Sequence, residues 1–172
     1  MTGYVDLGEQ VDKDFHRALL KASLRRWKSR LRGNNRHERL LSFEEAESGW
    51  VRWSQAYLGV RTVKVEKIVG SVGRCRDFDS SFLPIRLNMS GRWGRVDRAY
   101  HQGVELPAVS LYKIDEAYFV VDGNHRVSVA RYHGAAAIDA EVVEIKGRPR
   151  AHAARLVPSD ALHSSQKAPT AA

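Results

Sequence analysis

The chain has 172 residues, of which 43% are hydrophobic and 28% charged, a composition typical of a folded domain in water. No stretch approaches the ~18 apolar residues of a membrane span, and the single cysteine, Cys75, excludes a disulfide framework. The first residues lack a secretory signal, so we expect a cytoplasmic protein with no membrane partner. A net charge of +8 favours polyanionic partners wherever the basic residues cluster.

The first predicted element is a strongly basic amphipathic helix over residues 13–32, with Asp12 as its N-cap. Its apolar stripe, which we expect to pack, consists of Phe15, Leu19, Leu20, Leu24, Trp27 and Leu31. The basic residues that we expect to contact DNA or RNA are Arg17, Lys21, Arg25, Arg26 and Lys28. Two alternatives stay open: binding to an acidic membrane or partner protein, and a face that is merely solvated.

A second helix is predicted from Ser42, because Ser42 and Glu45 form a capping box. The apolar residues that follow at helical spacing are Phe43, Ala46, Trp50, Trp53 and Tyr57. This stripe predicts packing against the domain rather than stacking on bases. Residues 1–60 are therefore expected to form a basic helical extension.

The sequence after residue 60 predicts an α+β domain over residues 61–146. Val63 and Val65 alternate with charged residues, as in a half-buried strand. Ser90 begins a helix that carries Trp93. The further predicted elements are an antiparallel hairpin of residues 107–112 and 118–121, a short helix from residue 126 and a last strand over residues 138–145.

We expect a small mixed sheet with short helices. Residues 147–172 are rich in Gly, Pro, Ala and Ser and predict a disordered basic tail.

The stretch FVVDGNHR, residues 119–126, ends a strand and begins a helix. A helix N-terminus carries roughly half a positive charge, so cations there are unfavourable unless an anion is present. One interpretation is an anion held by the N–H groups of Gly123 and Asn124 and by the side chains of His125 and Arg126. The other is that Arg126 pairs with a surface carboxylate and His125 is structural. The local residues leave both open.

Two arginine-rich segments could add to such a site, GSVGRCRDFD (residues 70–79) and GRWGRVDR (residues 91–98). We favour the first, because loops that follow strands commonly carry function. Its arginines are Arg74 and Arg76, and those of the second are Arg92, Arg95 and Arg98. The carboxylates that could act as a base or Mg²⁺ ligand are Asp77, Asp79 and Asp122.

The histidines lack the paired spacing of a zinc site, since His125 and His133 lie eight apart and His152 and His163 fall in the tail. We therefore predict no metal site. Cys75 lies between two arginines, but a lone cysteine of this kind is more often inert than catalytic. The common glycine-rich nucleotide-binding motifs do not occur either.

The segment LPAVSLYKIDEAYFVVDGNHRVSVARYHGAAAIDAEVVEI resembles the ParB/sulfiredoxin superfamily, in which a hairpin strand ends in a Gly-x-His-Arg turn, a short helix and a final strand. The resemblance covers residues 61–146. It implies that Gly123, His125 and Arg126 contact phosphate, while Asp122 and Asn124 shape the turn. It also implies a nucleotide ligand: CTP in ParB, ATP in sulfiredoxin and the related free serine kinases, with Mg²⁺.

Two departures from the family pattern limit what the resemblance implies. Asn124 stands where sulfiredoxins have their catalytic cysteine, so sulfinic acid reduction is not expected. We find no ParB helix-turn-helix pattern after Ile145. The sequence therefore predicts a phosphate- or nucleotide-binding module that associates with nucleic acid. The alternative is a small phosphotransferase, nucleotide hydrolase or nuclease using the same turn. The choice of nucleotide and a homodimer both stay open.

Overall fold

The computed structural model describes residues 6–32 and 39–149. Its helices are α1 (Leu7–Leu31), α2 (Phe43–Ser48), α3 (Ser90–His101) and α4 (Asn124–Tyr132). Its strands are β1 (Leu41–Ser42), β2 (Trp50–Lys64), β3 (Ile68–Ser71), β4 (Val109–Ile114), β5 (Ala117–Asp122) and β6 (Ala137–Pro149). Among these described elements, none of the helices has the length and apolar character needed to cross a membrane.

The strands form one mixed six-stranded sheet in the order β1-β3-β5-β4-β6-β2. β4 and β5 pair antiparallel as the predicted hairpin, with Ile114 opposite Ala117, whereas β4 and β6 are parallel. Parallel neighbours cannot be joined by a tight turn, and the connection from β4 to β6 runs through β5 and α4. The architecture confirms the predicted α+β class.

The predicted second helix is wrong beyond Ser48. Gly49 ends α2, and β2 continues from Trp50 to Lys64 as a strand antiparallel to β6. Trp, Val, Tyr and Thr favour strands, and β6 supplies backbone partners that a local periodicity cannot reveal. Both long strands also pass through the predicted domain limits, since β2 spans residues 60 and 61 and β6 spans residues 146 and 147. Residues 147–149 therefore belong to the sheet, and the rest of the predicted tail, 150–172, lies outside the described residues.

The sheet buries apolar side chains on both faces. Successive residues of β6 point to opposite sides, so Val142 joins the cluster under α1, α3 and α4, while Ile145 joins a smaller cluster with Phe43 of α2. At the centre of the larger cluster, the buried Trp93 donates its indole N–H to Ser128 Oγ at 2.9 Å. This bond ties α3 to α4, the two helices that border the candidate site.

Helix α1 packs by a different face from the one predicted. It begins at Leu7, where Asp6 rather than Asp12 is the N-cap and accepts from the Gly8 N–H at 3.1 Å. Its buried residues are Val11, Asp14, Phe15, Ala18 and Ala22. In the predicted stripe, Leu20, Leu24, Trp27 and Leu31 are 68, 52, 59 and 68% exposed. The small alanines permit close approach to the core, and most of the predicted apolar stripe faces outward.

Candidate functional site

The turn between β5 and α4 is built on Gly123. Its φ of 99° lies in the left-handed region, and an added Cβ would lie 2.6 Å from Val109 Cγ1 and 3.0 Å from Arg126 Nε. Only glycine fits without displacing its neighbours. The turn lets α4 begin directly at Asn124. The unpaired N–H groups of its first turn therefore lie next to the end of β5.

A cavity of about 300 Å³ lies at this end of α4, and we refer to it as the turn pocket. It is lined by Arg74, Arg92, Arg95, Val96, Asp122, Gly123, Asn124, His125 and Arg126. All five predicted turn residues and Arg74 are therefore brought together. The predicted Arg76 does not line the pocket.

Helix α3 contributes two arginines to the turn pocket. They belong to the 91–98 segment, which the sequence analysis favoured less than the 70–79 loop. Arg92 and Arg95 lie three residues apart on its first turns, so both project from one face toward the start of α4. The preference for the 70–79 loop was thus incomplete, because both segments reach the pocket. In the sequence, these two arginines could be recognised by their i, i+3 spacing on a predicted helix. That both line the pocket depends on the packing of α3 on α4, which the spacing does not reveal.

The turn pocket carries an excess of positive charge. Arg74 pairs with Asp77 at 3.0 Å, and Arg126 pairs with Asp122 at 2.6 Å. Among the described residues, Arg92 and Arg95 have no carboxylate partner, and both are exposed. Two uncompensated guanidinium groups beside a helix N-terminus favour an anion.

Two buried polar atoms at the pocket have no hydrogen-bond partner among the described residues, Asn124 Oδ1 and His125 Nδ1. The imidazole of His125 lies edge-on to Phe78, with ring centroids 5.5 Å apart. Burial, reinforced by the positive charges of Arg74 and Arg92, lowers the pKa of His125 to about 4. His125 is thus neutral at physiological pH and can offer a single N–H to a ligand.

Arg126 is held by protein atoms. It donates to the carbonyl oxygens of Pro107 at 2.5 Å and Ala108 at 2.9 Å, besides Asp122. One part of the alternative is observed, since Arg126 pairs with Asp122, whose side chain is 78% exposed. The other part, a satisfied His125, does not agree with its Nδ1, which has no hydrogen-bond partner among the described residues. Direct contact between Arg126 and phosphate stays a prediction. The observed hydrogen bonds of Arg126 hold the turn in place.

The candidate carboxylates lie mostly outside the pocket. Asp77 lies 3.0 Å from Arg74 and 3.4 Å from Arg86, and it does not line the cavity. Asp79 is buried and accepts the N–H groups of Ser81 and Leu83, and burial raises its pKa. These bonds give Asp79 a structural role in its loop.

The basic residues of α1 are mostly exposed to solvent, and two of them also contact other parts of the protein. Arg17, Lys21, Arg25 and Lys28 are exposed, whereas Arg26 is half-buried. Lys21 lies over the Tyr132 ring, and Arg25 donates to Ser81 Oγ. A second cavity of about 270 Å³ is lined by Lys21, Arg25, Ser81, Leu83, Arg131 and Tyr132. Two of the predicted nucleic-acid contacts thus converge with Arg131 where α1 meets α4.

No family model matches the chain, and no curated protein matches it. A solved structure, sulfiredoxin from Arabidopsis thaliana, is similar over 48% of this chain and 82% of its own, with 17% identity and a TM-score of 0.37. At these values the similarity carries no information about a family, a ligand or an activity.

Proposed function

We propose that the protein binds a nucleotide in the turn pocket through its phosphate groups. The observation that carries the proposal is the pair Arg92 and Arg95, two arginines without a carboxylate partner among the described residues, which line the same cavity as the N-terminus of α4. A phosphate here would receive charge-assisted hydrogen bonds from both guanidinium groups and from the first N–H groups of the helix.

The neutral His125 adds a donor that suits this ligand. Its buried Nδ1 and the buried Asn124 Oδ1 have no partner among the described residues, and leaving buried polar groups unpaired costs about 1–3 kcal/mol each. A ligand with both acceptors and hydroxyl donors would satisfy both atoms. A nucleotide offers both, through its phosphate oxygens and its ribose hydroxyls.

A neighbouring cavity favours a nucleotide over inorganic phosphate. This second space, about 380 Å³, shares Val96 and Arg126 with the turn pocket. Its other lining residues include Tyr100, Leu106, Val129 and Ile138, which offer apolar and aromatic surface. A positively charged cavity beside an apolar one fits a ligand with a phosphate at one end and an organic group at the other. The family resemblance adds CTP and ATP as candidates.

Binding fits the described residues better than catalysis. The carboxylate that lines the turn pocket is Asp122, which is paired with Arg126, so the described lining residues offer no unpaired carboxylate as a base or Mg²⁺ ligand. The pKa of His125, lowered to about 4, makes its imidazole a weak base. Phosphoryl transfer needs positioned metal and a base or water-orienting group. The phosphotransferase, hydrolase and nuclease alternatives therefore gain no support from this geometry.

Helix α1 supports nonspecific association with DNA or RNA as a further part of the proposal. Arg17, Lys21, Arg25 and Lys28 recur along one exposed side of the helix, and phosphate contacts of this kind give affinity without sequence specificity.

Calorimetric titration of CTP, ATP, GTP and pyrophosphate, each with and without Mg²⁺, tests the nucleotide proposal. We expect one of the nucleotides to bind more tightly than pyrophosphate, and Arg92→Gln with Arg95→Gln to weaken it at least tenfold. Arg98→Gln is the matched control, because Arg98 lies on the same helix, is exposed and does not line the pocket. Equal nucleotide affinity of the double variant and the wild type would refute the turn pocket as the binding site.

A further inference from the structure

Four side chains that could ligate a metal converge at the junction of α1, α3 and α4. They are Asp14 of α1, Asp97 and His101 of α3, and His133 directly after α4. One ligand atom from each lies within 4.8 Å of all the others. None of the four lines the turn pocket, so the cluster is separate from the proposed nucleotide site.

The distances are close to those of a coordinated ion. His101 Nε2 lies 2.9 Å from Asp14 Oδ2 and 3.6 Å from Asp97 Oδ2. His133 Nε2 lies 2.7 Å from Asp97 Oδ1. In a tetrahedral zinc site with bonds of about 2.0–2.1 Å, neighbouring ligand atoms are about 3.3 Å apart. Small side-chain movements would therefore convert the present hydrogen bonds into four metal bonds.

Burial of the carboxylates points to a cation. The side chains of Asp14 and Asp97 are 5% and 0% exposed, and charged carboxylates at such positions are normally paired or bound to a metal. Asp97 Oδ2 is fully buried and has no hydrogen-bond partner among the described residues. A divalent ion would satisfy this atom, and two carboxylates with two neutral imidazoles balance its charge.

The surrounding residues orient the candidate ligands. Gln10 Nε2 donates to Asp14 Oδ2 at 2.9 Å, and the Tyr132 hydroxyl donates to Asp14 Oδ1 at 2.8 Å. The Tyr100 ring stacks on His133 with centroids 4.1 Å apart. Partners that fix ligand orientation in this way are typical of protein metal sites. His101, whose side chain is 27% exposed, leaves a route for the ion from solvent.

We propose that Asp14, Asp97, His101 and His133 bind one Zn²⁺ ion. Imidazole and carboxylate ligands suit zinc, and four protein ligands make a closed, structural site rather than a catalytic one. The ion would fasten the N-terminal half of α1, including Asp14, to α3 and α4. Helix α1 would then be held on the domain by the metal as well as by Phe15, Ala18 and Ala22.

The test uses the full chain after removal of metal with a chelator. Titration with Zn²⁺ against a chromophoric chelator should give one tight site per chain, and Co²⁺ should give the intense visible absorption of a tetrahedral complex. His101→Gln and His133→Gln should each lower the affinity at least about 100-fold. Two controls should keep the site: His16→Gln, which removes an exposed α1 histidine, and His152→Gln with His163→Gln, which removes two histidines outside the described residues.

Circular dichroism of each variant checks that it is folded. If a ligand variant unfolds, the stoichiometry and Co²⁺ spectrum of the unmodified chain still decide the matter. The proposal is overturned if the wild-type chain binds no stoichiometric Zn²⁺, if Co²⁺ shows only an octahedral spectrum, or if binding depends on His16, His152 or His163 instead.

Discussion

Arg126 and Asp122 are joined across the turn that precedes α4, with Arg126 Nη2 2.6 Å from Asp122 Oδ2. Arg126 also donates to the carbonyl oxygens of Pro107 and Ala108, so one guanidinium group fixes three points around Gly123. The arginine that sequence reasoning assigned to phosphate therefore has a structural task, and the unpaired charge at the pocket comes from α3.

Arg126→Ala should lower the free energy of unfolding by about 1–3 kcal/mol, because the carbonyl oxygens of Pro107 and Ala108 lose charged donors. Asp122→Ala should cost less than about 1 kcal/mol, since this carboxylate is 78% exposed. Urea unfolding of the two variants measures the difference. Equal destabilisation by both variants would show that the ion pair, rather than the bonds to the backbone, fixes the turn.

Gly123→Ala should destabilise the protein by about 1–3 kcal/mol, because alanine resists a φ of 99° and its Cβ would overlap Val109. Gly91→Ala is the matched control. Gly91 lies in the first turn of α3 with open space around its Cα, so alanine there should stabilise the helix by up to about 1 kcal/mol. Thermal unfolding shows whether each variant is more or less stable than the wild type. An unchanged stability of Gly123→Ala would contradict the tight turn.

The sequence was sufficient for the elements whose determinants are local. The 118–121 strand, a turn at Gly123 and a short helix after it were predicted from turn chemistry and short periodicities. The structure contains all three, with the helix beginning at Asn124 instead of residue 126. The larger part of strand β2, from Trp50 up to the strand predicted around Val63, was missed because its pairing with β6 involves residues far away in the chain. An aromatic spacing that fits a helix gave the wrong element there.

The same limit applies to the sites. The turn residues could be proposed as a candidate site because they are contiguous, whereas Arg92 and Arg95 reach the same cavity through packing of α3 on α4. The Asp14, Asp97, His101 and His133 cluster comes from two helices and the residue after a third, so its ligand spacing resembles no zinc motif. Only the i, i+4 relation of Asp97 and His101 on α3 hinted at it.

His125 should make stability depend on pH. Its pKa is about 4 in the folded chain against an ordinary value of 6.5, so protonation favours the unfolded state. Its contribution is complete above about pH 6.5 and is lost as the pH falls toward 4. Urea unfolding over this range should show a shallower decline for His125→Gln than for the wild type. His16→Gln, at an exposed site on α1, should leave the decline unchanged.

Ligand binding should raise the pKa of His125, because a phosphate in the turn pocket offsets the positive charges of Arg74 and Arg92 that help to depress it. Histidine NMR titrations with and without saturating pyrophosphate measure this shift. An unchanged pKa in the presence of bound pyrophosphate would place the anion away from the turn pocket.

Neutralising Arg17, Lys21 and Lys28 to glutamine should weaken binding to duplex DNA and reduce the slope of log affinity against log salt by about three, roughly one for each lost phosphate contact. The matched control replaces Arg61, Lys64 and Lys146, which are exposed on β2 and β6 and change the net charge equally. If both triple variants reduce the slope alike, the interaction reflects net charge alone. A smaller slope for the α1 variant alone would show that α1 contacts the phosphates. Both triple variants remove the same net charge, and they differ only in where on the protein that charge lies.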